Sequence, residues 1–206
     1  MVALAISVCV LLLVGWGLGE LARSFTQTAD LDAVRDVEDD RTGFLTAAAH
    51  ALSWIGSGYV VFALAAVLCL ALWYRHLLRD ALAVAVGTAG AALISSVDKL
   101  LVGRPRPPVH HLEHVTSASF PSGHATEASA FYGTLLIVFL CSRPGRTRAV
   151  SAASATAALV LGIACSRVYL GVHYPSDIAG GLLLGAGWSA IVGCLLLPRR
   201  RADDRA

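Results

Sequence analysis

The chain has 206 residues, 56% of them hydrophobic and 15% charged, with a formal net charge of +2 and a mean hydropathy of +0.68. That balance is too apolar for an ordinary soluble domain, and the chain shows no nucleic-acid-binding signature, large repeat or low-complexity tract. Its apolar residues are grouped in long runs instead of at amphipathic spacing, and a run of roughly 18 or more is what a bilayer-spanning helix requires.

The first run covers 2–18. A cleaved secretory signal is the competing reading, but the run has no basic start, and no clear small-x-small site is followed by a soluble domain. The segment 19–54 comes next. Its Leu31, Val34, Val37 and Phe44 fall near helical spacing among acidic residues, which predicts an amphipathic surface helix inside a solvated connector. Five further runs follow at 55–74, 81–97, 125–141, 149–165 and 178–197. Thr88, Ser95 and Ser96 dilute the run at 81–97, and Thr126, Glu127 and Ser129 the start of the run at 125–141; as buried core helices, these two would reduce the count to four. The expected fold is therefore all-α, a polytopic membrane protein with six transmembrane helices in one compact bundle, the whole chain forming a single membrane-embedded domain. Small residues four apart, Gly15 with Gly19 and Gly181 with Gly185, predict close helix–helix approach. The five cysteines form neither a disulfide pattern nor a metal motif and read as packing residues.

Charge placement gives an independent check on the span count. Arg75, Arg79, Arg143, Arg146, Arg148, Arg199, Arg200, Arg201 and Arg205 fall on one side of a six-span chain, in short segments with few acids, so that side is expected to be cytoplasmic. Both termini share it, in the plasma membrane. The other side carries the acid-rich first segment and two loops, 98–124 and 166–177, expected to face outward.

The chemistry is concentrated in those two loops. Lys99, Arg106 and Arg167 come from three places in the chain but from the same ends of the third and fifth spans, so they can converge on one anion. A planar guanidinium fork with an ammonium point charge suits a tetrahedral oxyanion. The segment "PSGH" at Pro121–His124 stands just ahead of the fourth span, where Ser122 is expected to cap the helix and Gly123 to let a ligand approach the backbone. Free N–H groups and the positive end of the helix dipole then face a bound phosphate. His173 precedes Asp177 by four residues, with Pro175 opening the last helix between them. The carboxylate can turn back to one imidazole nitrogen and leave the other free as nucleophile or base. His124 on the far side of the phosphorus would protonate the leaving oxygen, which describes in-line transfer through a phosphohistidine.

Three stretches carry a resemblance: "KLLVGRPRP" from Lys99, "PSGH" from Pro121 and "SRVYLGVHYPSD" from Ser166. Together, in this order and spacing, they resemble the signature of the type 2 phosphatidic acid phosphatase family of integral membrane lipid phosphatases. That family's phosphate site is shared with bacterial nonspecific acid phosphatases and vanadium haloperoxidases. The resemblance implies that Lys99, Arg106 and Arg167 bind the phosphate with Ser122 and Gly123, that His173 is the nucleophile oriented by Asp177, and that His124 is the general acid which then activates water. It implies no metal or cofactor, a lipid phosphate or diphosphate substrate, and the bilayer as partner. Outward-facing catalysis favours carrier-lipid recycling, as with undecaprenyl diphosphate, over phosphatidic acid or phosphatidylglycerol phosphate. Three other readings stand beside it: transfer to an acceptor other than water, a noncatalytic phosphate-binding membrane protein, and a zinc site made by His110, His111, Glu113 and His114. Oligomeric state is left open.

Overall fold

The computed structural model describes residues 2–197. Helix α1 (Val2–Leu21) continues through a short π-helical segment, Ala22–Thr26, into α2 (Gln27–Asp39). Thr42 then starts α3 (Gly43–Ile55), its hydroxyl accepting the Leu45 N–H at 3.4 Å. After Gly56, Ser57 caps α4 (Gly58–Tyr74) in the same way through Val60. Next come α5 (Leu78–Val102), closed by Gly103 in the left-handed region at φ 58°, then α6 (Gly123–Cys141), α7 (Arg146–Tyr169) and α8 (Pro175–Leu196). Five of the helical stretches are long and apolar enough to cross a membrane, and α3 with α4, bent by 45°, makes a sixth if the pair is one span. No strand occurs among the described residues. The chain is an all-α membrane bundle, as its hydropathy predicts.

The two diluted runs are α5 and α6, and both qualify as spans. Four of their polar residues face inward, whereas Ser96 is exposed: Thr88, Ser95, Thr126 and Ser129 are buried, and the Thr88 and Thr126 hydroxyls each donate to the carbonyl four residues back at 2.9 Å. A polar side chain satisfied by its own helix weakens the hydropathy signal without moving the helix out of the bilayer.

Other expectations need correction. The run 55–74 is not one helix, since Ile55 ends α3 and the chain bends at Gly56 and Ser57 before α4. The segment 19–54 is not a solvated connector but almost wholly helical; it holds no Gly or Pro between Gly19 and Gly43 to stop α1 from continuing. Val34 is buried as its spacing requires, whereas Phe44 belongs to a different helix and is 82% exposed. The helices also overrun the predicted loop boundaries. Asp98 and Lys99 lie in the last turns of α5, not in a loop 98–124, and Ser166 and Arg167 lie in the last turn of α7. The arginines at 199, 200, 201 and 205 lie outside the described residues.

Packing follows the small residues. A Cβ on Gly181 would meet the Ser122 carbonyl oxygen at 2.9 Å and the Thr126 hydroxyl at 3.0 Å; one on Gly185 would meet Ser129 Cβ at 2.7 Å. A Cβ on Gly15 would overlap the Asp98 carboxylate, and one on Gly19 would meet Val102 at 2.6 Å. Both glycine pairs therefore sit at close helix contacts, α8 against α6 and α1 against α5. The Trp188 indole on α8 donates to the Val86 and Gly87 carbonyls of α5 at 3.1 Å, among buried Leu11, Ala91, Ile94 and Leu184. The α6 and α8 N-termini are thereby held side by side, and the Ser122 N–H donates to the Asp177 carbonyl at 3.1 Å.

Candidate active site

One end of the bundle gathers the C-terminal turns of α5 and α7, the N-termini of α6 and α8, and loops 103–122 and 170–174. The local sequence accounts for the second loop. Gly171 takes φ 78°, and a side chain there would meet the Arg41 guanidinium at 2.6 Å and the His110 carbonyl oxygen at 2.8 Å. Pro175 then opens α8, where its missing N–H costs nothing. The Asp177 carboxylate turns back over this first turn to accept the Tyr174 N–H at 2.9 Å.

His173 lies between these features, 2% exposed. Its Nδ1 is 3.5 Å from both Asp177 Oδ2 and Ser119 Oγ, and its Nε2 is 3.3 Å from Arg106 Nη1. A guanidinium can only donate, so Nε2 carries the lone pair and the proton belongs on Nδ1, facing the carboxylate. Burial pushes the imidazole down to about 3 from its ordinary 6.5, with Arg106 and Lys99 adding to the effect and Asp177 opposing it. The ring is neutral at physiological pH. Asp177 does turn back toward His173 as expected, but its shorter bonds on Oδ2 come from Ser119 Oγ at 2.5 Å and the Tyr174 N–H. Ser119, which the motifs did not single out, therefore shares the orientation of the ring.

The three expected phosphate-binding cations are brought to the same end. Lys99 Nζ donates to the Ala118 and Pro121 carbonyls at 2.8 and 2.7 Å, holding the loop ahead of α6. Arg106 donates to the carbonyls of Ser117 at 2.8 Å and Val172 at 2.5 Å, tying the two loops together. Burial and the neighbouring Arg167 charge lower it to about 10, so it stays cationic. Arg167, 1% exposed, donates through Nη1 to Glu113 Oε2 at 2.5 Å and to Ser53 Oγ; its Nε is buried without a partner among the described residues. Ser122 is at the N-cap position of α6, but its hydroxyl does not cap; buried and without a partner among the described residues, it remains available to a ligand. Gly123 follows as the first helical residue, and a Cβ there would lie 3.9 Å from Lys99 Cε. His124 follows in the first turn of α6 and is half-buried. All eight predicted residues thus share one end of the bundle. The arrangement offers a neutral imidazole nitrogen, a second histidine, three cations and unpaired donors, a set that can bind a phosphoryl group and attack it.

Sequence reasoning missed the support beneath this set. Arg104, two residues before Arg106, is fully buried and points the opposite way, donating to Asp177 at 2.7 Å, Ser176 at 2.7 Å, Asp30 at 2.8 Å and Gln27 at 2.8 Å. Its guanidinium carbon lies 4.1 Å from the centre of the Tyr174 ring. Nothing in the sequence pointed to Asp30 or Gln27 as partners of Arg104. The four residues proposed for zinc do not converge. His111 Nε2 contacts the Pro107 carbonyl at 2.8 Å, Glu113 turns to Arg167 and Ser53, and among the described residues no three His, Cys, Asp or Glu side chains are placed to hold a metal ion. Beside the site, Val37, Leu45, Leu52, Gly162, Tyr169 and Ile178 help line an apolar groove of about 570 Å³.

The relatives of this membrane bundle are phosphatases, and that is the class of integral membrane enzyme to which it belongs. The chain belongs to the PAP2 superfamily, whose family model matches residues 80–201 and so includes all eight predicted site residues. It is 35% identical to the decaprenylphosphoryl-5-phosphoribose phosphatase of Mycobacterium tuberculosis over 87% of this chain and 96% of that protein. It is 38% identical to phosphatidylglycerophosphatase B of Bacillus subtilis over 45% of this chain and 46% of that one. Among solved structures, it resembles a PAP2-type phosphatidylglycerolphosphate phosphatase from Bacillus subtilis with a TM-score of 0.80 and 25% identity, covering 90% of this chain and 94% of that one.

Proposed function

We propose that the protein hydrolyses the phosphate ester of a membrane lipid at the outer membrane face, through a phosphohistidine on His173 and without a metal ion. The observation that carries this reading is the buried, neutral His173, whose Nε2 lone pair lies within 3.3 Å of a cation expected to bind the phosphate. Nε2 attacks phosphorus while Lys99, Arg106 and Arg167 take up the charge of the phosphoryl oxygens, each worth about 4 kcal/mol at 4 Å and an effective dielectric near 20. The Ser122 hydroxyl and the N–H groups at the start of α6 supply further donors. The P–O bond breaks as the N–P bond forms, and His124, kept protonated by the negative charge of the phosphate bound beside it, gives its proton to the departing lipid oxygen. His124, now neutral, takes a proton from water; the hydroxide attacks phosphorus, the P–N bond breaks, and orthophosphate leaves with His173 restored. Asp177 and Ser119 hold the His173 tautomer through both steps.

For the substrate, a polyprenyl carrier lipid bearing a phosphorylated head group is the first choice. The supporting fact is that the M. tuberculosis relative, named for such a lipid, matches over nearly its full length. The apolar groove beside α7 gives the tail a place within reach of the site. Phosphatidylglycerol phosphate is the second choice, supported by the solved structure of similar fold. The test is phosphate release in detergent with EDTA present, from a panel holding both lipids, undecaprenyl diphosphate and phosphatidic acid, comparing wild type with His173→Ala. Release that survives EDTA and disappears in the variant is expected. Activity abolished by EDTA, or retained by His173→Ala, would overturn the mechanism.

A further inference from the structure

Glu113 lies in the stretch His110–His114, outside all three motifs, yet its carboxylate reaches a cation assigned to phosphate binding. Oε2 accepts Arg167 Nη1 at 2.5 Å, and Oε1 accepts the Ser53 hydroxyl at 2.9 Å, with His50 Nδ1 3.6 Å away. Ser53 in turn accepts from the same Arg167 Nη1, which closes a ring of three side chains from loop 103–122, α3 and α7. The backbone that carries Glu113 is itself held in place. The Leu112 N–H donates to the Leu170 carbonyl at 3.0 Å, and Arg41 donates to the His110 carbonyl at 2.9 Å. Burial acts to raise the Glu113 carboxyl, but the hydrogen bond and charge of Arg167, with Ser53 and His50, outweigh it and hold it below the usual range, so it is ionised at neutral pH.

A guanidinium offers two edges for a bidentate grip, and the two share Nη2. Glu113 and Ser53 occupy Nη1 and therefore one edge. The other edge, Nε with Nη2, has no hydrogen-bond partner among the described residues, and Nε is fully buried. An unpartnered buried N–H is costly unless a ligand completes it. We propose that Glu113 is a positioning residue for phosphate binding: it fixes Arg167 by one edge so that the Nε edge is presented to the phosphoryl oxygens. This rests on the reading that Arg167 binds the phosphate. It assigns a role to α3 and to the loop as well, since Ser53 and the anchored backbone at 110–112 give the carboxylate its fixed place.

The test uses the full chain in detergent and reads inhibition by orthophosphate alongside KM and kcat. Glu113→Ala is expected to raise KM and the orthophosphate inhibition constant about tenfold, while kcat changes by less than about threefold, because an arginine left to swing loses binding before chemistry. Glu113→Gln, which keeps an acceptor oxygen without the charge, should fall between, and it serves where the alanine variant folds poorly. In an Arg167→Ala background, adding Glu113→Gln should change the inhibition constant no further, as befits two residues acting through one contact. Glu113 variants that melt earlier but bind orthophosphate like wild type, while Arg167→Ala binds it weakly, would overturn this inference alone. Arg167→Ala with wild-type orthophosphate binding would overturn it together with the site assignment on which it rests.

Discussion

At position 104 a guanidinium is enclosed by Asp30 and Asp177, with no exposure to solvent. Arg106, two residues on, lies among carbonyls beside His173. The first cation is neutralised by two carboxylates and so has little charge left for a ligand, whereas the second has no carboxylate partner among the described residues. Removing one member of a buried ion network leaves an uncompensated charge, which costs about 3–5 kcal/mol. Asp30→Ala should therefore destabilise the protein by about that amount, read as a lower melting temperature in detergent. Asp30→Asn, which keeps an acceptor for Arg104, should cost less; equal melting of both variants and wild type would show that Arg104 does not depend on Asp30. His173 gives a pH prediction with a definite sign. Its folded value of about 3 lies below the ordinary 6.5, so an unfolded chain takes up a proton at pH values where the folded chain does not. That contribution to stability is complete above pH 6.5 and is lost as pH falls from 6.5 toward 3. Melting temperatures across this window should fall less steeply in His173→Gln, which binds no proton there. An unchanged slope would mean that the imidazole is not held neutral by burial.

Between helices, the contact that aligns the site is α8 against α6. A Cβ on Gly181 would meet the Ser122 carbonyl and the Thr126 hydroxyl at 2.9 and 3.0 Å, one turn from Asp177 on one helix and at the N-terminus of the other. Gly181→Val would force the two N-termini apart, and overpacking of this kind costs about 1–3 kcal/mol. The expected result is a protein that still inserts and folds but loses most of its activity. Gly17→Val, on α1 with open space at its Cβ, is the control, and equal activity of the two variants would refute the alignment argument. Such contacts could be anticipated from the four-residue glycine spacing, and the eight site residues from motif order, because these features are local patterns of residue type. The helix ends could not. Hydropathy falls wherever Lys99 or Arg167 enters, whereas backbone hydrogen bonding continues to Val102 and Tyr169, so every span next to the site was read too short. The break between α3 and α4 was hidden because Gly56 and Ser57 interrupt a run that stays apolar on both sides. Asp30, Gln27, Ser53 and Glu113 were not legible as site support, since each acts through a partner more than 50 residues away.

For the whole molecule the open question of placement is which end faces out, and the charge distribution supports one answer. Near the site end four of the basic residues are paired with acids: Arg23 with Glu20, Arg41 with Glu38, Arg104 with Asp30 and Asp177, Arg167 with Glu113. At the opposite end Arg75, Arg79, Arg143, Arg146 and Arg148 are accompanied in the sequence by Asp80 alone. The orienting bias comes from Lys and Arg in short loops close to the spans, so the end carrying those five arginines should stay in the cytoplasm. Helix α6 runs from the site end to the arginine end over 19 residues, about 28 Å at 1.5 Å per residue, which matches the hydrocarbon thickness and keeps the two ends on opposite sides. With the five native cysteines replaced by alanine, His114→Cys on the exposed part of loop 103–122 should react with a membrane-impermeant maleimide in intact cells. Thr147→Cys, at the exposed start of α7, should react only after permeabilisation. The reverse pattern would put the histidines in the cytoplasm and confine the substrate to lipids of the inner leaflet. Labelling of both positions in intact cells would contradict a 28 Å crossing by α6 itself.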